Sequence, residues 1–202
     1  MNTYALARAA ELLRHGGLVV HATEGVWGFC CDPADQSAVA RLLALKRRSW
    51  RAGLILVADS AQRFDDLLEA LDAETRALVC TSWPGPVTWL VPHRDLLPRW
   101  IHGDSDLVAI RVTAHPQFHS LCAAFGGALV STSANRSGRA PIERPEQARM
   151  QFGAGIDCVL PGALGDNSGP STIIDARTLE IVRGDANAVP RLRAARDSRV
   201  LH

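Results

Sequence analysis

The 202-residue chain lacks most of the features that mark a specialised class of protein. No segment reaches about 18 apolar residues, and no basic segment followed by an unbroken apolar run opens the chain, so we expect neither a membrane span nor a secretion signal. The five cysteines are odd in number and show no C-x-x-C spacing, which favours free thiols in a reducing cytoplasm over a disulfide framework or a zinc site. A net charge of +1 argues against a protein that mainly binds nucleic-acid backbones.

Lysine is also nearly absent, since Lys46 is the one lysine among 22 basic residues. The rest of the composition is ordinary for a globular protein, with 47% hydrophobic and 21% charged residues. The length fits one sizeable domain, and neither an internal repeat nor a low-complexity linker divides it. Short apolar runs alternate with amphipathic helical segments, and this alternation predicts an α/β fold.

The stretch from Ala128 to Gly138 changes abruptly from an apolar run to hydroxyls, an amide and glycine. Its first three residues indicate a buried strand, and the polar side chains that follow are Ser131, Thr132, Ser133 and Asn135. They supply enough hydrogen-bond donors for several phosphate oxygens, and ligands of open α/β sheets bind at the carboxyl ends of strands. The alternative is a polar turn whose side chains cap their own backbone.

Two groups of cations are further candidates for a binding site. A predicted helix ends in Lys46-Arg47-Arg48, where positive charges complement the helix dipole even without a ligand. Arg111 lies inside an apolar strand, residues 107–112, and a buried guanidinium needs a partner. That partner is either an internal Asp or Glu or the carboxylate of a ligand bound by the two-pronged guanidinium.

Six segments in the same order, spanning roughly residues 16–184, resemble the YrdC/TsaC family, the threonylcarbamoyl-AMP synthases. The matching segments are Thr23-Glu24 with Trp27-Gly28, Lys46-Arg47-Arg48, Trp83-Pro84-Gly85-Pro86-Val87-Thr88, Ala109-Ile110-Arg111-Val112 with His115-Pro116, Ser131-Thr132-Ser133-Ala134-Asn135 with Ser137-Gly138, and Pro170-Ser171-Thr172-Ile173-Ile174-Asp175.

The resemblance implies the short, single-domain form of the family, with one YrdC-like domain over residues 1–184. The implied fold is a twisted mixed sheet flanked by helices around a concave groove. The implied activity is synthesis of L-threonylcarbamoyl-AMP and pyrophosphate from L-threonine, bicarbonate or CO₂, and ATP. This product is the precursor of threonylcarbamoyladenosine in tRNA, so a downstream tRNA threonylcarbamoyl-transferase complex is an expected partner.

Roles for individual residues also follow from the resemblance. Lys46 and Arg48 correspond to catalytic cations that hold the ATP phosphates. The other residues expected to bind ATP are Thr88, Ser133, Asn135 and Arg183. The residues expected to bind threonine are Thr23, Trp27, Arg111, Ser131 and Ser171. Mg²⁺ is expected as a cofactor carried by the ATP phosphates, with no metal ligands from the protein.

Several of these residues have a purely structural alternative. Trp27 is either an aromatic wall of the site or a core residue of a hairpin, and Thr88 suits an ordinary strand. His115 and His119 have the spacing of metal ligands, but His115-Pro116 is better explained as the start of a helix.

The chain also departs from the family pattern after its basic run. Family members usually have Pro and then a second Lys where this chain has Ser49 and Ala52. The neighbouring Arg51 is a candidate replacement for the missing Lys.

The C-terminal residues 185–202 are rich in arginine and predict a tail outside the domain. From residue 183 onward, five arginines against two aspartates give a local charge of +3. This composition indicates a solvated tail or, alternatively, a weak contact with tRNA.

Two other functions remain open on the sequence. One is a YrdC-like module that binds nucleotide or RNA without making the adenylate. The other is a related carbamoyl-adenylate enzyme that uses an acceptor other than threonine.

Overall fold

The computed structural model describes residues 3–166 and 169–200. Residues 1–2, 167–168 and 201–202, which the predicted domain and tail include, lie outside the described residues. The helices are α1 (Thr3–Arg14), α2 (Gln36–Lys46), α3 (Asp65–Leu68), α4 (Ala73–Thr81), α5 (Arg99–His102), α6 (Pro116–Phe125), α7 (Glu146–Phe152) and α8 (Ala188–Val200). The strands are β1 (Val19–Ala22), β2 (Trp27–Cys31), β3 (Ile55–Ala58), β4 (Val87–Pro92), β5 (Leu107–Val112), β6 (Leu129–Ser133), β7 (Cys158–Val159), β8 (Thr172–Asp175) and β9 (Ile181–Arg183).

The strands form one mixed sheet in the order β7-β1-β2-β6-β3-β5-β4-β8-β9. Three pairs are parallel, namely β1 with β7, β3 with β5, and β4 with β8. β6 lies between β2 and β3 and is antiparallel to both, with Ser131 opposite Cys30 on one side and Ile55 on the other. The predicted α/β domain with a mixed sheet flanked by helices is confirmed.

Local sequence explains where several helices begin and end. Asp35 caps α2 through a hydrogen bond from Ala38 N, and Asp72 caps α4 through one from Thr75 N. His115 caps α6 by accepting from Phe118 N, with proline at the first helical position, as its predicted role at a helix start requires. α2 ends where Arg47 adopts a left-handed conformation, with φ of 52°.

Helices cover both faces of the sheet. α1 and α6 pack on one face, against residues such as Val19, Val57 and Leu129. α2, α4, α7 and α8 lie over the other face, where Val130 and its neighbours in the sheet belong to the larger core. Successive strand residues therefore point into opposite cores. On the sheet face against which α1 and α6 pack, these two helices leave part of the sheet uncovered.

The prediction of a solvated C-terminal tail needs correction. Residues 188–200 form α8, in which Ala188 is buried while Val189 and Leu192 pack on the larger core. Arg196 also pairs with Glu74 of α4, with 2.9 Å between Nη1 and Oε1. Apolar side chains at helical spacing, among many arginines, hold this segment against the domain.

None of the helices in the described part of the chain is both long enough and apolar enough to cross a membrane.

Candidate active site

A groove with a volume of about 390 Å³ opens on the sheet face that α1 and α6 only partly cover. Its floor includes Ile55, Val57, Ala109 and Ser131, which share one face of neighbouring strands. The walls come from segments distant in sequence. They are residues 23–26, Arg48 with 52–54, 101–102 with 105 and 107, 169–171 with 173, and 182–183.

At one end of the groove, Arg111 pairs with Glu24, and both side chains are buried. Arg111 Nη1 lies 2.8 Å from Glu24 Oε2. The other carboxylate oxygen accepts from Thr113 Oγ1 at 2.7 Å and from Ala114 N at 3.0 Å. Arg111 therefore has an internal carboxylate partner and also lines the groove, so the two alternatives for Arg111 do not exclude each other.

Glu24 is held in its charged form by these partners. Burial by itself would raise the pKa of this carboxyl, but the Arg111 charge and the hydrogen bond from Thr113 outweigh burial. The net result is a pKa below the usual value for glutamate. Both carboxylate oxygens of Glu24 accept hydrogen bonds from the protein. Glu24 therefore positions Arg111 and is not free to act as a base.

Farther along the groove, two guanidinium groups line the wall without a carboxylate partner. Arg48 donates from Nη2 to Gly53 O at 2.8 Å, and its Nε is buried without a hydrogen bond. Arg183 donates from Nη2 to Ser171 O at 3.0 Å. Burial lowers the pKa of both groups, and the charge of Arg48 lowers that of Arg183 further. Within residues 3–166 and 169–200 neither forms an ion pair, so this region is suited to an anion.

Lys46 lies behind this wall and does not line the groove. Its side chain is buried, and Nζ donates to Ser133 O, to Asn135 O at 3.0 Å and to Asn135 Oδ1 at 2.8 Å. Ser133 Oγ donates to the same Oδ1 at 2.7 Å, and Asn135 Nδ2 donates to Arg139 O. Burial, aided by the charge of Arg48, lowers the pKa of Lys46 to about 8.

The structure brings together most of the residues predicted from the sequence. Those that line the groove are Thr23, Arg48, Arg111, Ser131, Ser133, Ser171 and Arg183. Lys46 and Asn135, which are predicted to bind ATP, do not line the groove in this structure, because the two side chains bind each other behind Ser133.

Trp27 and Thr88, which are predicted to bind threonine and ATP, do not line the groove either. Trp27 is 2% exposed and belongs to the core, because its position in β2 points away from the groove. Thr88 is fully buried, and its Oγ1 lies 2.8 Å from Ser171 Oγ, so it supports a groove residue without reaching the groove.

Arg51, the candidate replacement for the missing lysine, lies on the outer rim. It pairs with Asp104 at 2.8 Å and stacks on Trp50, with 5.3 Å between its Cζ and the ring centroid. Arg99 binds the same carboxylate at 2.9 Å. These contacts join the 3₁₀ turn Trp50–Ala52 to α5.

Sequence reasoning missed the partner of Arg111 and the far end of the groove. Glu24 was detectable in principle, since a buried arginine requires a carboxylate and Glu24 adjoins the predicted Thr23. His102 and Ser105 line the far end, and no motif marks them.

Among the described residues no group of three or more His, Cys, Asp or Glu side chains could hold a metal ion.

Comparison with known proteins gives consistent matches over most of the chain. Residues 11–184 match the family model Sua5_yciO_yrdC, described as telomere recombination. A threonylcarbamoyl-AMP synthase of Halorhodospira halophila is 49% identical over 175 residues, which are 87% of this chain and 92% of the relative. A threonylcarbamoyl-AMP synthase of Stutzerimonas stutzeri is 47% identical over 183 residues, 91% of this chain and 98% of the relative.

Solved structures share the fold. P. abyssi Sua5 complexed with L-threonine superimposes with a TM-score of 0.83 at 29% identity over 91% of this chain. The chain spans about half the length, 54%, of that protein. E. coli YciO superimposes with a TM-score of 0.82 at 21% identity over 93% of each chain, a likeness of fold alone.

Proposed function

The chain belongs to the Sua5/YciO/YrdC family, and we propose from this membership that it is a synthase of L-threonylcarbamoyl-AMP. Its substrates are L-threonine, bicarbonate or CO₂, and ATP, and pyrophosphate is released. The product serves threonylcarbamoyladenosine formation in tRNA through a downstream transferase complex. The free thiols Cys30, Cys31 and Cys122, all buried, suit a reducing cytoplasm.

The observation that carries this proposal is that Arg48 and Arg183 line one groove and have no carboxylate partner among the described residues. Two like charges held close on one groove cost free energy unless an anion joins them. A triphosphate supplies that anion, and Ser133 lines the same groove. ATP enters as its Mg²⁺ complex, with the metal ligated by phosphate oxygens.

Threonine is assigned to the end with Arg111. Arg111 Nη1 donates to Glu24, and the remaining guanidinium nitrogens have no partner among the described residues. They are available to the threonine carboxylate, while hydroxyls of Thr23, Ser131 and Ser171 line the adjoining wall.

The chemistry requires charge compensation and alignment more than proton removal. A carbamate formed on the threonine amine attacks the α-phosphorus, one carbamate O–P bond forms, and the bond from phosphorus to the bridging oxygen breaks to release pyrophosphate. Both reactants are anions, so fixed cations that hold them in line lower the barrier. Lys46 contributes as a positioning residue through the segment Ser133–Asn135.

The test is a synthesis assay with purified protein, ATP and Mg²⁺. AMP-containing product and pyrophosphate should appear only when threonine and bicarbonate are both present. Arg48→Ala and Arg183→Ala should each reduce turnover by about 10²–10³, whereas Arg76→Ala, which removes an exposed ion pair with Asp65, should leave it unchanged.

Other outcomes identify the other two functions. ATP binding without pyrophosphate release would indicate a binding module. Pyrophosphate release with an amine other than threonine would indicate a related enzyme with a different acceptor.

A further inference from the structure

A cluster of exposed arginines lies on the surface beside the groove, outside the regions assigned to the substrates. The four residues that form this arginine patch are Arg47, Arg136, Arg139 and Arg144. Among the described residues, none of their guanidinium groups forms an ion pair or a hydrogen bond. Exposed arginines elsewhere, such as Arg41, Arg99 and Arg177, pair with aspartates. The patch therefore carries positive charge that the described part of the chain does not neutralise.

Backbone hydrogen bonds bring three members of the patch together. Ser137 N lies 2.8 Å from Lys46 O, so the turn that follows β6 rests on the end of α2, next to Arg47. Arg139 N donates to Arg136 O at 3.0 Å and closes that turn. Residues that are about 90 positions apart in the sequence thus share one surface.

Arg144 is held beside the same turn. Ile142 N donates to Ala134 O at 3.0 Å, which returns the chain to the end of β6 two residues before Arg144. Arg144 N then donates to Gln147 Oε1 at 3.1 Å, at the start of α7. The backbone of the patch is therefore fixed by the fold.

The patch adjoins the groove through Asn135. The Nδ2 atom of Asn135 donates to Arg139 O, and its Oδ1 accepts from Ser133 Oγ at 2.7 Å. Ser133 lines the groove. At the end of α2, Arg47 is exposed whereas the next residue, Arg48, lines the groove. A molecule bound to the patch therefore lies next to the proposed phosphate region.

The charges around the patch indicate what kind of molecule it binds. Glu143 and Glu146 flank Arg144 in the sequence, and both are exposed and form no ion pair among the described residues. A nucleic-acid backbone carries only negative charge, so both carboxylates would repel it. A protein surface can match charges of both signs. The net charge of +1 also lacks the basic excess of nucleic-acid-binding domains. A mainly acidic protein surface therefore fits the patch best.

The chemistry of the proposed product supplies a reason for a protein to dock here. Threonylcarbamoyl-AMP is a mixed anhydride of a carbamic acid and a phosphate, so water can attack its carbonyl carbon. The enzyme that consumes it must direct a tRNA amine to the same carbon. The new C–N bond forms, the C–O bond to AMP breaks, and the amine loses a proton. A consuming enzyme docked beside the groove shortens the path on which water competes.

We propose that the arginine patch docks an acidic surface of the enzyme that consumes the adenylate, an inference that rests on the proposed function. Opposite charges steer the two proteins together and fix their relative orientation. The contact is transient, because exposed ion pairs each contribute little affinity. Release after each transfer leaves the groove open to new substrates.

The experiment uses the purified tRNA threonylcarbamoyl-transferase complex of the same organism as one ligand and tRNA alone as the other. The proteins are the wild type, Arg136→Glu/Arg144→Glu and the matched control Arg8→Glu/Arg94→Glu. The control reverses two exposed arginines outside the patch that form no ion pair among the described residues, so both double variants change the net charge equally. Binding is titrated at about 0.05 M and about 0.2 M salt. Synthesis of the adenylate is measured separately, without the transferase complex.

We expect the affinity of the wild type for the transferase complex to fall several-fold, roughly fivefold, between the two salt concentrations. Arg136→Glu/Arg144→Glu should lose at least about tenfold in this affinity at low salt, together with most of the salt dependence. Transfer to tRNA at dilute synthase should fall in parallel, whereas synthesis of the adenylate alone should not change. Arg8→Glu/Arg94→Glu should match the wild type.

Equal affinity of the wild type and Arg136→Glu/Arg144→Glu for the transferase complex overturns the inference, as does no binding by the wild type. An equal loss in Arg8→Glu/Arg94→Glu also overturns it, since net charge alone would then explain the effect. A loss confined to tRNA binding would assign the patch to RNA instead. Synthesis of the adenylate alongside any of these results leaves the proposed function intact, and absence of synthesis by the wild type overturns both.

Discussion

At the scale of single residues, the pair Glu24–Arg111 gives the first prediction. Both side chains are less than 10% exposed, with 9% for Arg111 and 8% for Glu24. Glu24→Gln leaves a buried guanidinium without a countercharge, and the free energy of unfolding at neutral pH should fall by about 3–5 kcal/mol. Urea denaturation measures this loss, and the control Glu11→Gln, at an exposed ion pair, should change stability by less than about 1 kcal/mol.

The same pair predicts a pH dependence. The folded pKa of Glu24 is lowered, so its contribution to stability is fully present above the ordinary glutamate pKa of 4.5 and is lost as pH falls through the lowered value. The difference in stability between the wild type and Glu24→Gln should therefore shrink in acid. A difference that stays constant from neutral pH into that acid range would contradict this role for the ion pair.

Lys46 gives a third prediction. Its charged amine donates to three oxygens of the segment Ser133–Asn135, and a neutral amine has only two protons. Because its pKa is about 8, kcat/KM for ATP should decline as pH rises through that value. Lys46→Met should reduce kcat/KM by on the order of 10² and remove this decline. A wild-type profile that stays level through pH 8 would show that its charge does not order the segment.

The sequence was informative about which polar residues belong near the site and less so about which of them reach the groove. Ser131, Arg111 and Arg48 stand out because hydroxyls and cations interrupt or end apolar segments. Lys46 and Asn135 carry the same signal but bind each other, since the backbone after β6 turns back over the end of α2, with Ser137 N 2.8 Å from Lys46 O. That long-range turn depends on tertiary packing and leaves no local pattern.

At the scale of elements, the groove rim depends on close backbone packing. Gly103 has φ of 72°, and a Cβ there would overlap Arg51 O and lie 2.8 Å from Gly53 N. Gly103→Ala should cost about 2–4 kcal/mol of stability, from backbone strain and overlap, and should displace α5 from the turn Trp50–Ala52. Thermal unfolding and ATP titration should both show losses.

The matched control for the rim is Gly127→Ala. A Cβ at Gly127 would meet its nearest atom, in Phe125, at 3.6 Å, which is ordinary contact. Wild-type behaviour of Gly103→Ala would mean that the rim tolerates separation of the two elements.

α8 gives a further prediction at this scale. A chain that stops after Gly184 loses the apolar contacts of Val189 and Leu192 and the ion pair of Arg196. We expect a loss of about 2–4 kcal/mol, measured by denaturant unfolding. Arg193→Ser, at an exposed position of the same helix, should leave stability within about 0.5 kcal/mol. Equal stability of the shortened and complete chains would restore the solvated-tail interpretation.

The elements themselves were largely predictable, and α8 shows where prediction failed. Buried strands such as residues 129–130 and capped helices such as α2 have strong local signals. In α8 only a narrow set of apolar residues contacts the domain, and arginines at most other positions obscure the helical period. Charge composition alone therefore favoured a tail.

At the scale of the whole molecule, strand order could not be read from the sequence. β2 and β3 are consecutive strands, yet β6 lies between them and pairs with both. Hydrophobic patterning indicates that each strand is buried but does not specify its neighbours. The concave groove was predicted from the family resemblance, whereas the strands and helices that form it were predicted from local sequence patterns.

The position of β6 also sets the order in which the protein can become functional during synthesis. When the ribosome has delivered only the first half of the chain, the slot between β2 and β3 has no strand to fill it, and both edges carry unpaired backbone groups. The two halves of the sheet join only when Leu129–Ser133 emerges and inserts. That insertion brings Ser131 and Ser133 to the groove that Arg48 lines, and Arg183 of β9 follows later in the chain, so the anion site is completed only after the two halves of the sheet have joined.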